Sequence, residues 1–491
     1  MKNYKLNIHE FETFNKNKYI FDNNQGIVIP SSKEISYVVN NFQKPKETIV
    51  RDLEVKFGTQ KSDAMSIYNY INDLISQGMF ISQDSEVISC KNISYKDVLR
   101  SPSSQLVLIL TEACNMRCKY CIYSDYYPGI KSYSNKEMSI STALKAVDKY
   151  ILFHKEKQRM GILVEPSITF YGGEPFLKFD VIRAVINYCE QKNFKAKFFA
   201  TTNGTIMSNE IIDYIIEKDI HVAFSLDGHK ENHDRNRVLV NNSPTFELVF
   251  ENIKKIQNKR NHVNKKQVLI FCVTLDLETD VEKIVNFFDE NDALFSPYIV
   301  RYNKVADFGT NYYNNQDLKN NVLSKSFNKL YKKFYNMVSD EKSTKVTPAL
   351  KSLYSSMFLV SYKQKFSGND CKEMCIPGSK VAVSPDEKIY VCEKVNQSCP
   401  IGTLDEGLCL EKINSLANRF INIINENCKN CTVSRLCEMC YAQMICKDDL
   451  CFSETACKNT FSAIKNSLTT FYSLLENNEK IAETIFSEKN I

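Results

Sequence analysis

The chain carries 18 cysteines, and their placement is the first feature that could do chemistry. Three lie close together in "TEACNMRCKYCIYSDYYPG", residues 111–129, where Cys114, Cys118 and Cys121 have the spacing C-x3-C-x2-C. Three thiolates on one short loop can each take one iron of an iron–sulfur cube. The fourth iron is then left without a protein ligand and open to a substrate, whereas a four-cysteine set would close the cluster for electron transfer. The same spacing also suits a zinc ion completed by a distant residue, or plain buried thiols. Cys90, Cys189 and Cys272 stand alone and read as inert or incidental thiols.

The other cysteines fall between Cys371 and Cys457. "CKEMCIPGSKVAVSPDEKIYVC" sets Cys371, Cys375 and Cys392 around a hairpin turned at Pro385 and Asp386. "CKNCTVSRLCEMC" adds Cys428, Cys431, Cys437 and Cys440, with Cys446, Cys451 and Cys457 beyond. Taken alone, such paired C-x2-C elements read as zinc ribbons. Four further motifs end apolar runs or follow one: "YGGEP" (171–175), "TTNG" (201–204), "SLDG" (225–228) and "HDRNR" (233–237). Two glycines allow a backbone to approach a ligand closely, Glu174 can help position a cation, and the Arg237 fork suits a carboxylate. By itself "GGEP" is an ordinary strand-ending turn. Asp227, His233 and Asp234 are open to either turn and capping chemistry or a functional role.

The elements that must position these residues follow a changing rhythm. Residues 1–95 read as a small α/β unit, with strands at "KYIFDN" and "QGIVIP" and a helix whose start at Ser31 and Glu34 has capping-box spacing. A second helix stops at Gly58, a third ends at Gly78, and "MFIS" returns as a strand, which predicts a winged-helix-like arrangement. From about residue 100, six apolar runs alternate with helical segments: "QLVLILT", "SITFYGG", "KFFATTNG", "HVAFSLDG", "QVLIFCVTL" and "SPYIVR". That order implies parallel βα units, an open sheet or partial barrel, with ligand-binding residues at the C-terminal strand ends. The cysteine loop follows the first strand. Residues 302–365 read as a helical bridge, and "TFSAIKNSLTTFYSLLEN" is a closing helix.

Composition narrows the function classes. A chain of 491 residues holds about two to four domains with real cores. The first twenty residues lack a signal-peptide core, and no apolar run reaches bilayer-spanning length, so a cytoplasmic protein is expected. In that reducing compartment disulfides do not account for the cysteines. A net charge of +5 asks for no nucleic acid.

Taken together, the cysteine loop with Tyr120 at the aromatic position of C-x3-C-x-(aromatic)-C, and the strand-end motifs after it, resemble the radical S-adenosylmethionine superfamily. The resemblance implies a [4Fe-4S] cluster on Cys114, Cys118 and Cys121 with an open iron. It also implies S-adenosylmethionine against Gly172, Gly173 and Glu174, Asn203 near the nucleoside, and Ser225 and Arg237 on the ribose or methionine carboxylate. The C-terminal region resembles the SPASM extension, which implies two auxiliary [4Fe-4S] clusters. One would use Cys371, Cys375, Cys392 and Cys440, and the other Cys428, Cys431, Cys437 and Cys457. Two features depart from that pattern: Cys437 and Cys440 have two residues between them where three are usual, and Cys399, Cys409, Cys446 and Cys451 compete as ligands.

The N-terminal unit resembles a precursor-peptide recognition element, which binds a leader as an added strand at its sheet edge. Winged helices also bind DNA, but the third helix has no basic cluster to neutralise phosphates. The implied architecture is α/β: a winged-helix-like recognition unit (1–95), a partial (β/α)6 barrel (100–301), the helical bridge (302–365), a cysteine-rich iron–sulfur domain (366–475) and a tail (476–491). The implied activity is that of a maturase of a ribosomally made, Cys-rich precursor peptide. A 5′-deoxyadenosyl radical would abstract hydrogen and lead to thioether cross-links, as in sactipeptide or ranthipeptide synthases. The partners are the precursor, bound through its leader, and an external flavodoxin- or ferredoxin-like electron donor, with no nucleic acid or membrane. An anaerobic sulfatase-maturing, formylglycine-forming enzyme of the same superfamily is the alternative. A zinc-binding adaptor would be the reading from another class.

Overall fold

In the computed structural model, the N-terminal residues form strands β1 (Lys5–Leu6), β2 (Ile8–Glu12), β3 (Lys18–Asp22) and β4 (Ile27–Ser31) before helices α1 (Lys33–Asn41), α2 (Lys46–Phe57) and α3 (Lys61–Ser76) and strand β5 (Ile81–Ser82). The structure describes residues 5–82, 92–102, 104–263, 268–306, 308–316, 321–339, 346–363, 375–395, 397–446 and 449–486. Cys90, Cys371 and residues 487–491 of the expected tail lie outside the described residues. β2, β3 and β4 pair antiparallel in that order, while β1 pairs with β5. The helix cap is Ser32, which accepts from the Ile35 amide, and not Ser31, which closes β4. The strand takes one residue more than the sequence pattern predicts, so the cap moves along by one. β2, "IHEFE", is an addition to the expected strands; its charged alternate positions hide a half-buried strand. α2 ends where Gly58 turns left-handed at φ 70°, a conformation that costs glycine nothing.

A short α4 (Tyr95–Arg100) leads into alternating strands and helices: β6 (Gln105–Ile109), α5 (Ile140–Arg159), β7 (Ser167–Tyr171), α6 (Phe179–Gln191), β8 (Lys197–Thr202), α7 (Asn209–Glu217), β9 (His221–Ser225), α8 (Lys230–Asn236), α9 (Phe246–His262), β10 (Leu269–Leu275), α10 (Val281–Glu290), α11 (Asp292–Phe295) and β11 (Tyr298–Lys304). All six expected runs are strands, parallel and paired in sequence order. One set of alternate residues, such as Phe170, Phe224, Phe271 and Val273, is fully buried in the main core. α7 shows why the helices dock on that face: Ile211, Ile212, Ile215 and Ile216 form one apolar stripe, and Ser208 caps the helix start.

The bridge carries α12 (Val322–Ser339) and α13 (Pro348–Lys363). The C-terminal region then adds β12 (Lys380–Val383), β13 (Lys388–Tyr390), β14 (Gly402–Thr403), β15 (Gly407–Leu408), α14 (Leu410–Asn427), β16 (Ile445–Cys446), β17 (Asp449–Leu450), α15 (Glu454–Asn477) and α16 (Ile481–Phe486). The expected hairpin is β12–β13, and it joins the parallel sheet: β12 pairs parallel with β6 from Lys380↔Gln105 to Val383↔Leu108. The result is one sheet of ten strands. Among the described residues no helix is long and apolar enough to cross a membrane.

The N-terminal unit packs on the cysteine-rich region. Phe11 and Phe21 share a core with Val433, Leu436, Ile464 and Leu468. The Asn23 amide group donates to Ser434 Oγ at 2.9 Å, and Arg435 Nη1 donates to the Asn24 carbonyl at 2.6 Å. Gly26 leaves room for that arginine, since a Cβ there would sit 2.6 Å from Arg435 Nε. Phe21→Ala removes a fully buried ring from this joint, at a cost of about 3–5 kcal/mol. Limited proteolysis should then release an N-terminal fragment at least about tenfold faster than from the wild type.

Candidate functional site

The loop after β6 is held from both sides by backbone. Arg117 N donates to Val238 O at 2.8 Å and Lys119 N to Asn236 O at 3.1 Å, which ties the loop to the segment around the end of α8. On the other side Gly173 N donates to Thr111 O at 2.8 Å and Glu174 N to Ala113 O at 3.0 Å. This approach requires glycine. A Cβ on Gly172, which sits at φ 148°, would lie 2.4 Å from Thr111 O, and one on Gly173 would lie 2.1 Å from Ala113 O. Gly173→Ala must therefore displace the loop. The purified variant should lose roughly a third of its iron, measured per chain, if the loop holds one of three clusters.

Cys114, Cys118 and Cys121 are unpaired and half-buried. They lie within electrostatic reach of one another, and all three act on Tyr133, whose hydroxyl bonds the Cys121 sulfur. Burial pushes the Cys114 thiol up to about 11 and the Cys118 thiol up to about 12, the latter against the pull of Arg237. The free thiols therefore keep their protons unless a bound cation takes their place, and loading a metal must release them. Among the described residues no three His, Cys, Asp or Glu side chains surround a single ion. Three convergent, unpaired thiols on one loop fit the cluster.

Glu174 is fully buried, and its carboxylate turns inward to accept from Thr202 Oγ1, Asn203 N and Phe176 N at 2.8, 2.8 and 3.1 Å. Burial raises its pKa to about 7. It thus ties the end of β7 to the end of β8. Asn203 donates to Asn115 Oδ1 at 2.9 Å and reaches the Cys114 sulfur at 3.7 Å. Ser225 ends β9 half-buried, in register with Cys272 of β10, which in turn pairs with Arg301 of β11.

Asp227 gathers the other side of the site. It accepts from Arg237 Nε at 2.8 Å and Nη2 at 3.3 Å, from Thr274 N at 2.8 Å, and from the Tyr120 hydroxyl. The Arg237 fork, expected to face a ligand carboxylate, is engaged by this aspartate, while its Nη1 meets the Cys118 sulfur at 3.9 Å. Asp234 caps α9 through the Thr245 and Phe246 amides at 2.9 and 2.8 Å, which is capping chemistry. Sequence reasoning missed Asn115 and Tyr133, polar loop residues without a motif of their own. Of the cysteines read as inert or incidental, Cys272 is half-buried with its thiol pushed up by burial, and Cys189 is core.

In the cysteine-rich region Cys428 lies within electrostatic reach of Cys431, Cys437 and Cys457. Cys392 lies within reach of Cys440, and Tyr441 within reach of Cys375 and Cys440. Cys399 and Cys409 line a separate cavity of about 420 Å³ with Arg419 and Lys412. Cys371, expected in one of the two ligand sets, lies outside the described residues.

Residues 108–288, the stretch from β6 into α10, match the family model of the Radical SAM superfamily. Relatives of this chain are enzymes, and the protein is an enzyme; proteins of the matched family bind S-adenosylmethionine and a [4Fe-4S] cluster. More closely, it is 26% identical to a cysteine-type anaerobic sulfatase-maturating enzyme of Clostridium novyi over 68% of this chain and 86% of that one. It is 24% identical to the radical SAM cyclopropyl synthase TigE of Paramaledivibacter caminithermalis, over 48% of this chain and 51% of that one. The solved structure of anSMEcpe with bound AdoMet shares the fold at a TM-score of 0.56 and 19% identity, covering 79% of this chain and 100% of that one.

His233 gives the site a pH signature. Its Nδ1 accepts from the Asp227 amide at 3.4 Å, its Nε2 meets Thr245 Oγ1 at 3.1 Å, and burial, then Arg237, pushes its pKa down to about 4. Unfolded, the same ring titrates near its ordinary value of 6.5. Between those values the unfolded state binds more protons, so stability falls as pH drops through the window, by up to about 3 kcal/mol. His233→Asn should flatten that part of a denaturation midpoint against pH curve.

Proposed function

We propose that the protein is a radical S-adenosylmethionine maturase of a ribosomally made, Cys-rich peptide, with thioether cross-links as its product. The observation that carries the peptide reading is the N-terminal sheet. β4 is an edge strand, paired with β3 on one side and with no strand on its other side among the described residues, while β2 leans on α15 through the Thr469 hydroxyl and the Glu12 carbonyl. An open edge can take an extended leader as a further strand. The partial (β/α)6 barrel, the winged-helix-like unit and the cysteine-rich iron–sulfur domain belong to this proposal, with β11 running to Lys304 and α15 to Asn477, past the expected limits at 301 and 475.

When bound, the cluster on Cys114, Cys118 and Cys121 and S-adenosylmethionine supply a 5′-deoxyadenosyl radical able to take hydrogen from an unactivated carbon. The chain's own residues do the rest. Gly172 and Gly173 keep the β7 edge free of side chains, so that the cofactor's amino group can meet backbone there. Asn203, Ser225 and Tyr120 would border the cofactor, and Arg237, held by Asp227, presents Nη1 to the Cys118 sulfur. The auxiliary sets, Cys375, Cys392 and Cys440 with Cys371, and Cys428, Cys431, Cys437 and Cys457, supply sites where an electron from the closing thioether can go. A flavodoxin- or ferredoxin-like donor reduces the enzyme.

A second reading, sulfatase maturation, draws support from the sulfatase-maturating relative and the shared fold of anSMEcpe. Mass spectrometry separates the two after co-expression with the encoded neighbouring peptide or incubation with a sulfatase-derived cysteine peptide. A thioether loses two hydrogens and keeps its sulfur, whereas formylglycine loses the sulfur. Cys118→Ala should abolish 5′-deoxyadenosine formation while leaving the C-terminal iron in place. Cofactor cleavage that survives this change would remove the loop from the mechanism.

A further inference from the structure

Pairing of β12 with β6 lays the cysteine loop beside the segment that follows β13, and Lys131 joins the two. This lysine is only 8% exposed, and its Nζ donates at 2.5 Å to the Glu393 carbonyl, one residue beyond Cys392. Lys131 and Cys392 also line one cavity of about 10 Å³, together with Glu112, Ser384 and Gln397. A space of that size holds about one water molecule, so its walls stand close together. Both acids in the neighbourhood are engaged by other groups. Glu393 pairs with Lys380 at 2.9 Å, and Glu112 accepts from Ser134 Oγ at 2.5 Å and Gln397 Nε2 at 2.6 Å. Burial pulls the Lys131 pKa down, while Cys392, Glu393, Glu112 and Cys121 act in the other direction.

Toward the cysteine loop the same ammonium is set further back. Its Nζ lies 5.3 Å from the centre of the Tyr123 ring, Tyr123 stacks on Tyr133 at 5.7 Å, and the Tyr133 hydroxyl bonds the Cys121 sulfur. Contact with that sulfur therefore runs through two rings, whereas a single small cavity adjoins both Lys131 and Cys392. Arg237, whose Nη1 meets the Cys118 sulfur, is itself ion-paired with Asp227 at 2.8 Å.

A [4Fe-4S] cluster on thiolates is negative, and reduction adds a further negative charge, so a cation held close in a dry site favours the reduced form. We propose that Lys131 is the charge that makes the Cys392 site a better electron acceptor than the cysteine loop. This rests on the peptide-maturase reading and its auxiliary cluster at Cys392. In thioether closure, a substrate carbon that has lost a hydrogen atom to the 5′-deoxyadenosyl radical bonds a substrate sulfur. One C–S bond forms, the thiol proton leaves, and one electron is left over for an oxidised [4Fe-4S] cluster to take. The loop site has the opposite need, since from there an electron must go to S-adenosylmethionine. A cation beside one site and set back from the other separates the two potentials.

Anaerobic holoenzyme poised at a series of potentials, with reduced clusters read by electron paramagnetic resonance, tests this. The loop signal is recognised by its change on adding S-adenosylmethionine, and the Cys392 signal by its loss in C392A. K131Q keeps a donor for the Glu393 carbonyl and removes the charge. At the potential where the wild-type Cys392 signal is half developed, it should lower the reduced-to-oxidised ratio about tenfold, a shift of about 59 mV for a one-electron couple. K131M should do the same, and K131R should stay within about twofold of the wild type. E112Q, which removes an acid from the same cavity, should raise the ratio. A lysine that merely holds the fold together would instead disturb all signals alike and shift K131Q and E112Q in the same direction. That outcome, an unchanged ratio in both K131Q and K131M, or an equal shift of the loop signal overturns the proposal. If C392A removes no signal, the auxiliary reading fails and this inference with it. If the signal is present and both neutral variants leave it unmoved, only the role of Lys131 falls and the maturase reading stands.

Discussion

The site depends on one close approach of backbone to backbone, where the Gly172–Gly173 edge of β7 runs against Thr111 and Ala113 at the start of the cysteine loop. With donors and acceptors paired at hydrogen-bond distance, there is no space for a Cβ between them. This approach sets where the three cysteines stand relative to the sheet, and it does so before any side chain contributes. The side chains that follow lock the arrangement: Glu174 bonds the end of β8, and Asn203 bonds back to Asn115 inside the loop. The strand ends and the loop therefore form one hydrogen-bonded unit, so the geometry of the cluster ligands is inherited from the sheet.

A second constraint is charge. Arg237 and Asp227 are buried together, an arrangement that costs desolvation on both sides and is tolerated only when each is fully satisfied. Asp227 reaches that state through Arg237, Tyr120 and the Thr274 amide. The pair presents one remaining arginine nitrogen to the Cys118 sulfur. A site that gathers thiolates becomes strongly negative, and a fixed cation beside them offsets part of that charge. The aspartate anchors the cation through Nε and Nη2, which leaves Nη1 turned toward the Cys118 sulfur.

The six parallel strands were legible because each carries an apolar run bounded by turn residues, and the motifs that end them marked the site from the same text. Local pattern sufficed wherever the chemistry is local: the cysteine spacing, the two glycines, the left-handed stop at Gly58. What could not be read depends on long-range pairing. Nothing in "SLDG" says that its aspartate will meet an arginine ten residues on and an amide on the next strand, and nothing in "LIFCVTL" says which of its residues faces inward. β2 escaped notice because half of a surface strand is polar, and its buried half is covered by a helix more than four hundred residues away.

The pairing of β12 with β6 is the least predictable feature and carries a structural consequence. A parallel sheet that ends at β6 would expose a long apolar edge beside the strand that bears the cysteine loop. The hairpin from the cysteine-rich region covers that edge, and Cys392 follows directly on β13. Lys131, buried in the cysteine loop, donates to the Glu393 carbonyl one residue beyond. The position of an expected auxiliary ligand is thus fixed by the same hydrogen-bond ladder that fixes the first three cysteines. A shift of either region along the shared edge would move every inward-facing side chain on β6, because register sets the face. The two cysteine regions are therefore built as parts of one sheet, and the open iron expected at one and the electron-accepting role proposed for the other need no separate hinge to stay in relation.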